Sequence, residues 1–394
     1  MKKLLVIGAS ILQLPAIIRG KELGYYVAVV DFNPEAIGIP YADEYFEVST
    51  IDEEAVAEVA KEFHADGVMT LATDMPMRSI ARVSEVCGLQ GISMDTAIKS
   101  TDKGEMIKVF EAKGIAHPWY YIVLDKQNFD NVKEEITYPC IMKPLDNAGS
   151  RGVILAHDCQ ELEKEYSYVV GESRQGGIII EEYMIGTEVS VEAMVLGGVV
   201  HILQVTDKIT TGAPHFVELG HTQPSRLDEK SIIEIKDLAS RAIEAIGIKN
   251  GPAHVEIMVT KEGPKMIELG ARMGGDCITS HLVPLSTGID MVRATIAIAC
   301  GDKIDIEPKI VKGSAIRYFE TGKGIIESIT GVEEAKAIRG VKEISFVKTI
   351  GDSVRDIKSS IDRVGFVVAQ GEDADDAEKI CEKAMSLINI KLRI

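Results

Sequence analysis

Two glutamates carry the sharpest chemical signal in this sequence. Glu256 lies in His254-Val255-Glu256-Ile257-Met258, and Glu268 lies in Met266-Ile267-Glu268-Leu269-Gly270. Apolar neighbours on both sides predict two successive, largely buried strands whose carboxylates share one face of a hairpin. Converging carboxylates repel unless a cation lies between them. Hard oxygen ligands of this kind suit Mg²⁺ bridging nucleotide phosphates. The alternative, two exposed strand glutamates, sits poorly with flanks this apolar. Arg272 follows four residues after Glu268 and could stabilise charge on a transferred phosphoryl group. Gly274-Gly275 just beyond it allows close backbone approach to a ligand.

Lysines supply the complementary charge. Lys143 closes the apolar run Tyr138-Pro139-Cys140-Ile141-Met142-Lys143, where burial without an anion would be costly. The loop after it contains Gly149, Ser150 and Gly152, small residues rich in backbone donors that suit a polyphosphate. A snorkelling lysine beside a surface turn is the competing reading. Lys103, in Thr101-Asp102-Lys103, would by itself be a solvated helix-start lysine. In Ile178-Ile179-Ile180-Glu181-Glu182-Tyr183-Met184 an apolar strand runs into acidic residues, and backbone groups there could pair with a flat base. Glu188, after a Gly-Thr turn, could accept a ribose hydroxyl; chance acidic surface is the alternative for both. Glu218 and His221 lie in Phe216-Val217-Glu218-Leu219-Gly220-His221, where a lone histidine is as often structural as functional. No HExxH, GxSxG or Cys/His spacing occurs, so hydrolase triads and zinc catalysis lack support.

These residues need a scaffold, and its elements are partly legible. Up to about residue 100, short apolar runs (4–7, 27–30, 45–48, 67–70) alternate with helical patterns (14–23, 53–63), which predicts a parallel sheet covered by helices. Gly8-Ala9-Ser10 follows the first strand, and Asp31 ends the second. The GxGxxG spacing is absent, so a tight turn without ligand competes with an anion site, and a nicotinamide or flavin role is weak. A helix over 102–113 ends at Gly114, a C-cap signal. From about 120 to 310 strands and glycine loops dominate (141–143, 177–182, 188–196, 199–205, 253–259, 265–268), with one amphipathic helix at 231–246. The remainder reads as mixed α+β ending in a helix at 373–388.

Length and composition bound the rest. At 394 residues, about 150 per domain gives two or three domains. Lys and Arg number 43 against 61 Asp and Glu, a net charge of −18, which disfavours nucleic acid or an anionic membrane as partner. Six cysteines, none at CxxC spacing, predict a reduced, cytoplasmic chain without a zinc ribbon or disulfide framework. Met1-Lys2-Lys3 before an uncharged stretch mimics a signal peptide, but the βαβ-style continuation favours a first strand. No uncharged stretch reaches the roughly 20 residues of a membrane span.

In their order — Lys103, Lys143 with its glycine loop, Glu181–Met184, Glu188, Glu256, Glu268 with Arg272 — these elements resemble the ATP-grasp superfamily over roughly residues 1 to 310. Phe216–His221 and Ile267–Asp276 resemble its branch of L-amino acid ligases, beside biotin-carboxylase-like carboxylate–amine ligases. The resemblance implies an α/β (in part α+β) chain: a Rossmann-like domain at 1–100, an ATP-grasp domain at 101–310 with a lid at about 120–185, and a C-terminal α+β domain at 311–394. It implies that Lys103 and Lys143 hold ATP phosphates under the loop of Gly149, Ser150 and Gly152. Glu181, with Glu182, Tyr183 and Met184, would read adenine, and Glu188 the ribose. Glu256 and Glu268 would bind Mg²⁺ or Mn²⁺, Arg272 would face an acyl phosphate, and Glu218 and His221 would line the acceptor side. Many members carry asparagine two residues after the second metal glutamate; here Gly270 stands there. The implied reaction joins a carboxylate to an amine, the substrates being amino acids or similar small acids, with release of ADP and phosphate. Relatives imply a homodimer. Competing readings are a bicarbonate-using carboxylase or carbamoyl-phosphate-synthetase-like enzyme, a nucleotide-binding module without catalysis, and a dinucleotide oxidoreductase resting on Gly8 and Asp31.

Overall fold

The computed structural model describes residues 1–147, 149 and 151–393. Its N-terminal strands Lys3–Ile7, Tyr26–Asp31, Glu44–Glu47 and Gly67–Met69 form a parallel sheet with Lys3–Ile7 and Tyr26–Asp31 at its centre. Leu4 to Ile7 and Val27 to Val30 are fully buried, as expected of strands covered on both faces. Helices Leu14–Glu22 and Glu53–Phe63 form where the apolar spacing predicts them, the second capped by Asp52. The turn after the first strand is closed by the chain itself. Ala9 N donates to Asp31 Oδ2 at 2.8 Å, and the Ser10 hydroxyl donates to Gln13 Oε1 at 2.6 Å. Asp31 thus takes an amide that a dinucleotide phosphate would need, which removes the main support for the oxidoreductase reading.

Two antiparallel sheets follow. The smaller orders its strands Tyr120–Val123, Ile178–Glu182, Cys140–Pro144, Ile154–Ala156. The larger has eight strands: Gly263–Gly270, Gly251–Thr260, Gly186–Leu196, Val199–Thr210, Glu218–Gln223, Gly313–Tyr318, Gly365–Gly371 and Val341–Phe346. It runs unbroken across position 310. A three-stranded sheet, Ser353–Val354, Gly324–Thr330, Asn389–Arg393, lies beyond it. Helix Glu229–Ile246 buries Ile235, Leu238, Ala239, Ala242, Ile243 and Ile246, one stripe at helical spacing, in a core shared with the large sheet.

The strand Glu218–Gln223 has no apolar alternation to announce it; its neighbours on both sides hold it. Helix Met291–Ala299 is buried on nearly every face, and a continuous apolar run of that length does not distinguish helix from strand. Among the described residues no single helix is long and apolar enough to cross a membrane.

Candidate active site

The cleft between the two antiparallel sheets collects most of the residues singled out above. Lys103, Lys143, Gly149, Glu181 to Met184, Glu188, Glu218, Glu256 and Glu268 line one cavity of about 160 Å³. Strand register explains much of this. Glu256 is paired directly with Glu268 across the hairpin. Lys143 pairs with Ile179, which puts Glu181 diagonally across from it on the same face. The Lys143 ammonium sits 2.6 Å from Glu181, both nearly inaccessible. Burial opposes its charge, but Glu181, with Glu268 and Glu256 farther off, raises its pKa above the usual lysine value.

Lys103 begins the helix Lys103–Lys113, which Asp102 caps by accepting from Gly104 N and Glu105 N. Its ammonium donates to the Asn147 carbonyl at 2.7 Å and lies 3.2 Å from Glu268. The following loop is anchored at its base, where Asp146 accepts from the Ser173 hydroxyl and from Arg174 N and Gln175 N. Gly149 and Gly152 both take positive φ, +69° and +75°. At Gly152 a Cβ would also come within 2.9 Å of Pro144 and Glu172. Ser150 lies outside the described residues.

On the base side, Glu182 pairs with Lys265 at 3.1 Å, while Tyr183 and Met184 lie between strands and face the cavity. Glu188 pairs with Lys208, a residue that the sequence reading passed over. Lys208 is almost wholly buried, with Glu256 at 3.3 Å and Glu218 at 3.7 Å as further neighbours. Burial works against its charge, yet three carboxylates hold it well above the ordinary lysine range. It stands inside a mixed strand, after Gln204-Val205-Thr206-Asp207 and before Ile209, without the apolar run that marks Lys143.

Beneath Glu256 runs a second unanticipated chain. His254 Nε2 lies 3.2 Å from Glu256 Oε1, and Nδ1 lies 2.8 Å from Glu192 Oε1. Glu192 is fully buried, and its Oε2 has no hydrogen-bond partner among the described residues. Burial would keep His254 neutral, but Glu192 and Glu256 push its pKa up to about 9. Burial would likewise raise Glu256; Lys208 and His254 outweigh it and hold that carboxylate well below its usual range.

Two expected residues stand elsewhere. Arg272 makes a bidentate pair with Asp74, both bonds 2.9 Å, and its Nη1 donates to the Met273 carbonyl at 3.1 Å. With Lys103 and Glu268 it borders a narrow crevice beside the main cavity. His221 is buried, with Nε2 3.4 Å from Asp276. Asp276 is gripped by Arg363 at 2.6 and 2.7 Å, and Arg363 stacks on Tyr318. Burial opposes the Asp276 charge, but Arg363 and His221 keep it below the usual carboxylate range. Glu218 faces the main cavity, and burial raises its pKa.

The donor set suits a hard divalent ion. Two facing carboxylates, one held ionised, are matched by lysines that would share phosphate charge. Among the described residues no third acidic or histidine side chain completes a metal cluster, so phosphate and water oxygens would fill the coordination. At Gly270 a Cβ would stand 3.0 Å from both Arg272 Nε and Asp74 Oδ1. An asparagine there would displace that ion pair.

Residues 136–280 match the ATP-grasp domain, and residues 317–393 match the L-amino acid ligase C-terminal domain 2. Alanine–anticapsin ligase of Bacillus subtilis (strain 168) is 28% identical over 312 residues, covering 73% of this chain and 65% of that enzyme. The chain thus spans a little under two thirds of that relative. Phosphoribosylamine–glycine ligase of Methanobrevibacter smithii is 28% identical over 400 residues, covering 93% of this chain and 88% of the relative. The crystal structure of L-amino acid ligase from Bacillus licheniformis shares the fold, with a TM-score of 0.88 at 24% identity over 100% of this chain and 99% of that one.

Proposed function

From the premise that this chain joins an ATP-grasp domain to an L-amino acid ligase C-terminal domain, we propose that it is an ATP-dependent carboxylate–amine ligase acting on amino acids or similar small acids. One observation carries the reading: Glu256 and Glu268 face each other beside Lys103, Lys143 and Lys208 in a single cleft. We divide the chain into units at 1–100, 101–310 and 311–394, with the cytoplasm as its location and a homodimer as its assembly.

Bound ATP with Mg²⁺ supplies the phosphoryl group and neutralises its charge. Lys103 and Lys143 hold the phosphates, the backbone at Glu182 to Met184 takes the adenine, and Glu188 takes the ribose. Glu256 and Glu268 hold the cation, with His254 and Glu192 fixing the rotamer of Glu256. The substrate carboxylate attacks the γ-phosphorus, the bond to ADP breaks, and an acyl phosphate forms. The amine then attacks the acyl carbon, phosphate leaves, and the amine's proton passes to a base. Glu218 Oε1 suits that step, because burial raises its affinity for a proton. Arg272, held rigid by Asp74, places positive charge near Glu268. The protein's work is positioning and charge compensation, and the loop over 147–152 keeps water from the acyl phosphate.

The test is product analysis with ATP, Mg²⁺ and pairs of amino acids. Stoichiometric ADP and phosphate, with an amide product by mass spectrometry, is the expected result. AMP and pyrophosphate would refute the acyl-phosphate route.

A further inference from the structure

A second cavity, about 1080 Å³, is far larger than the cleft just described. It opens at the carboxyl ends of the N-terminal parallel strands, where open α/β sheets place their ligands. Its inner wall is the segment Met273–Asp276, which leads directly from Arg272. That wall is tied to the strand that carries Glu218: Arg363, which grips Asp276, also donates to the Glu218 backbone carbonyl at 3.3 Å.

The lining is mainly apolar. Ile11, Leu12, Ile37 and Val347 face it and are 44% to 58% exposed, and Ile18 and Phe346 continue the surface. Side chains of this kind gathered at one opening mark a binding surface rather than scattered exposure. The charged groups on the walls are used up among themselves. Arg19 pairs with Asp290 and Glu22, His281 with Glu343, and Asp276 with Arg363. A second ionised group on the occupant would meet no free counter-charge. The volume is slightly above the roughly 300–1,000 Å³ of drug-sized ligand sites, many times that of a small amino acid side chain.

We propose that this chamber holds the body of one ligase substrate, and that this body is bulky, apolar and without a second charge. The inference rests on the ligase reading and narrows it from small amino acids to a large hydrophobic acid or amine. The chamber serves either, since the reacting head alone must reach Glu218 and Glu268.

The experiment measures ADP release by the full chain with the linear series alanine, 2-aminobutyrate, norvaline, norleucine and 2-aminooctanoate. Each is offered as the free amino acid, as its amide, which can act only as amine, with N-acetylalanine as the acid, and N-acetylated, which can act only as acid, with alaninamide as the amine. In one of the two roles kcat/KM should rise about fourfold per added methylene. Leu12→Asp and Val347→Asp, both at exposed positions that should tolerate the change in folding, should flatten that slope. Displacement of the neutral dye N-phenylnaphthylamine by 2-aminooctanoate should weaken in the same variants. Turnover with alanine but a flat or falling slope overturns this inference and leaves the ligase reading standing. No ADP release with any pair overturns the ligase reading and, with it, the assignment of the occupant as a substrate.

Discussion

Lys208→Met tests the electrostatic design of the cleft most directly. Methionine preserves the length and apolar stem of the side chain and removes only the ammonium. That ammonium is buried among Glu188, Glu218 and Glu256, with Glu256 at 3.3 Å. Breaking a buried pair by deleting one partner costs about 3–5 kcal/mol, because the charge left behind is uncompensated. An unfolding entropy of about 2.1 cal/mol/K per residue gives roughly 0.8 kcal/mol/K for a chain of 394 residues. If the chain melts as one unit, the loss corresponds to a drop of about 4–6 °C in Tm, and to more if the substituted region melts alone. The assay is scanning calorimetry in EDTA and in excess Mg²⁺. In EDTA the variant should melt lower by that amount. Mg²⁺ held by Glu256 and Glu268 replaces part of the missing charge, so it should raise the variant's Tm more than the parent's. The gap should also narrow at acid pH, where the stranded carboxylates take up protons. Equal melting of variant and parent in EDTA would refute the reasoning, and so would a Mg²⁺ response no larger in the variant.

The remaining predictions concern the same cleft. Lys143→Ala should abolish measurable ATP binding in calorimetric titration while the far-UV spectrum stays that of the parent. Gly274→Ala places a Cβ 2.6 Å from His254 Nδ1 and 2.9 Å from Glu192 Oε2; Mn²⁺ affinity read by electron paramagnetic resonance should fall about 10–100-fold, the usual cost of disturbing such supporting contacts. The cleft of 160 Å³ is below the usual range for a ligand site of this kind, so ATP should enter by widening it; amide exchange at Gly149, Arg151 and Gly152, which line or flank the cleft, should slow on binding a non-hydrolysable ATP analogue. His254, with its pKa raised to about 9, stabilises the fold when protonated. That contribution is complete below pH 6.5 and is lost as the pH climbs through 9, so metal-free Tm should fall across this window, and less steeply in His254→Gln.

What the sequence disclosed follows the range of the interactions involved. Glu256 and Glu268 were legible because strand alternation and apolar flanks are local, and one hairpin brings them together. Lys143 was marked by its apolar strand and Glu188 by the turn before it, but the meeting of Lys143 with Glu181 was not local, since a strand and a helix lie between them. Lys208 follows Thr206-Asp207 and carries no such local mark; its meaning depends on three carboxylates from three other strands. Glu192 and His254 sit in apolar strands where a polar residue should raise suspicion, though only packing shows that they touch. Asp74 and Arg272 are 198 residues apart, and Asp276 and Arg363 are 87 apart. No periodicity links such pairs, so the commitment of Arg272 to Asp74 was out of reach of sequence reasoning. The N-terminal sheet was the most legible part of the fold, since βα alternation states its own topology.

The unbroken eight-stranded sheet bears on how chains of this kind can be recombined. Gly220 to Gln223 pair in register with Ser314 to Arg317, and the Arg317 guanidinium donates to the His221 carbonyl and the Thr222 hydroxyl. A cut at position 310 would therefore separate the proposed units through a shared sheet. It would strip one side of Glu218–Gln223 and bare a row of unpaired amides and carbonyls, a template for sticking to other chains. Exchange of the segment after 310 between homologues has to respect that hydrogen-bonded seam, or move the seam as well. The strand that carries Glu218 is thus inherited together with the terminal segment that braces it, and a swap that changes one tunes the other.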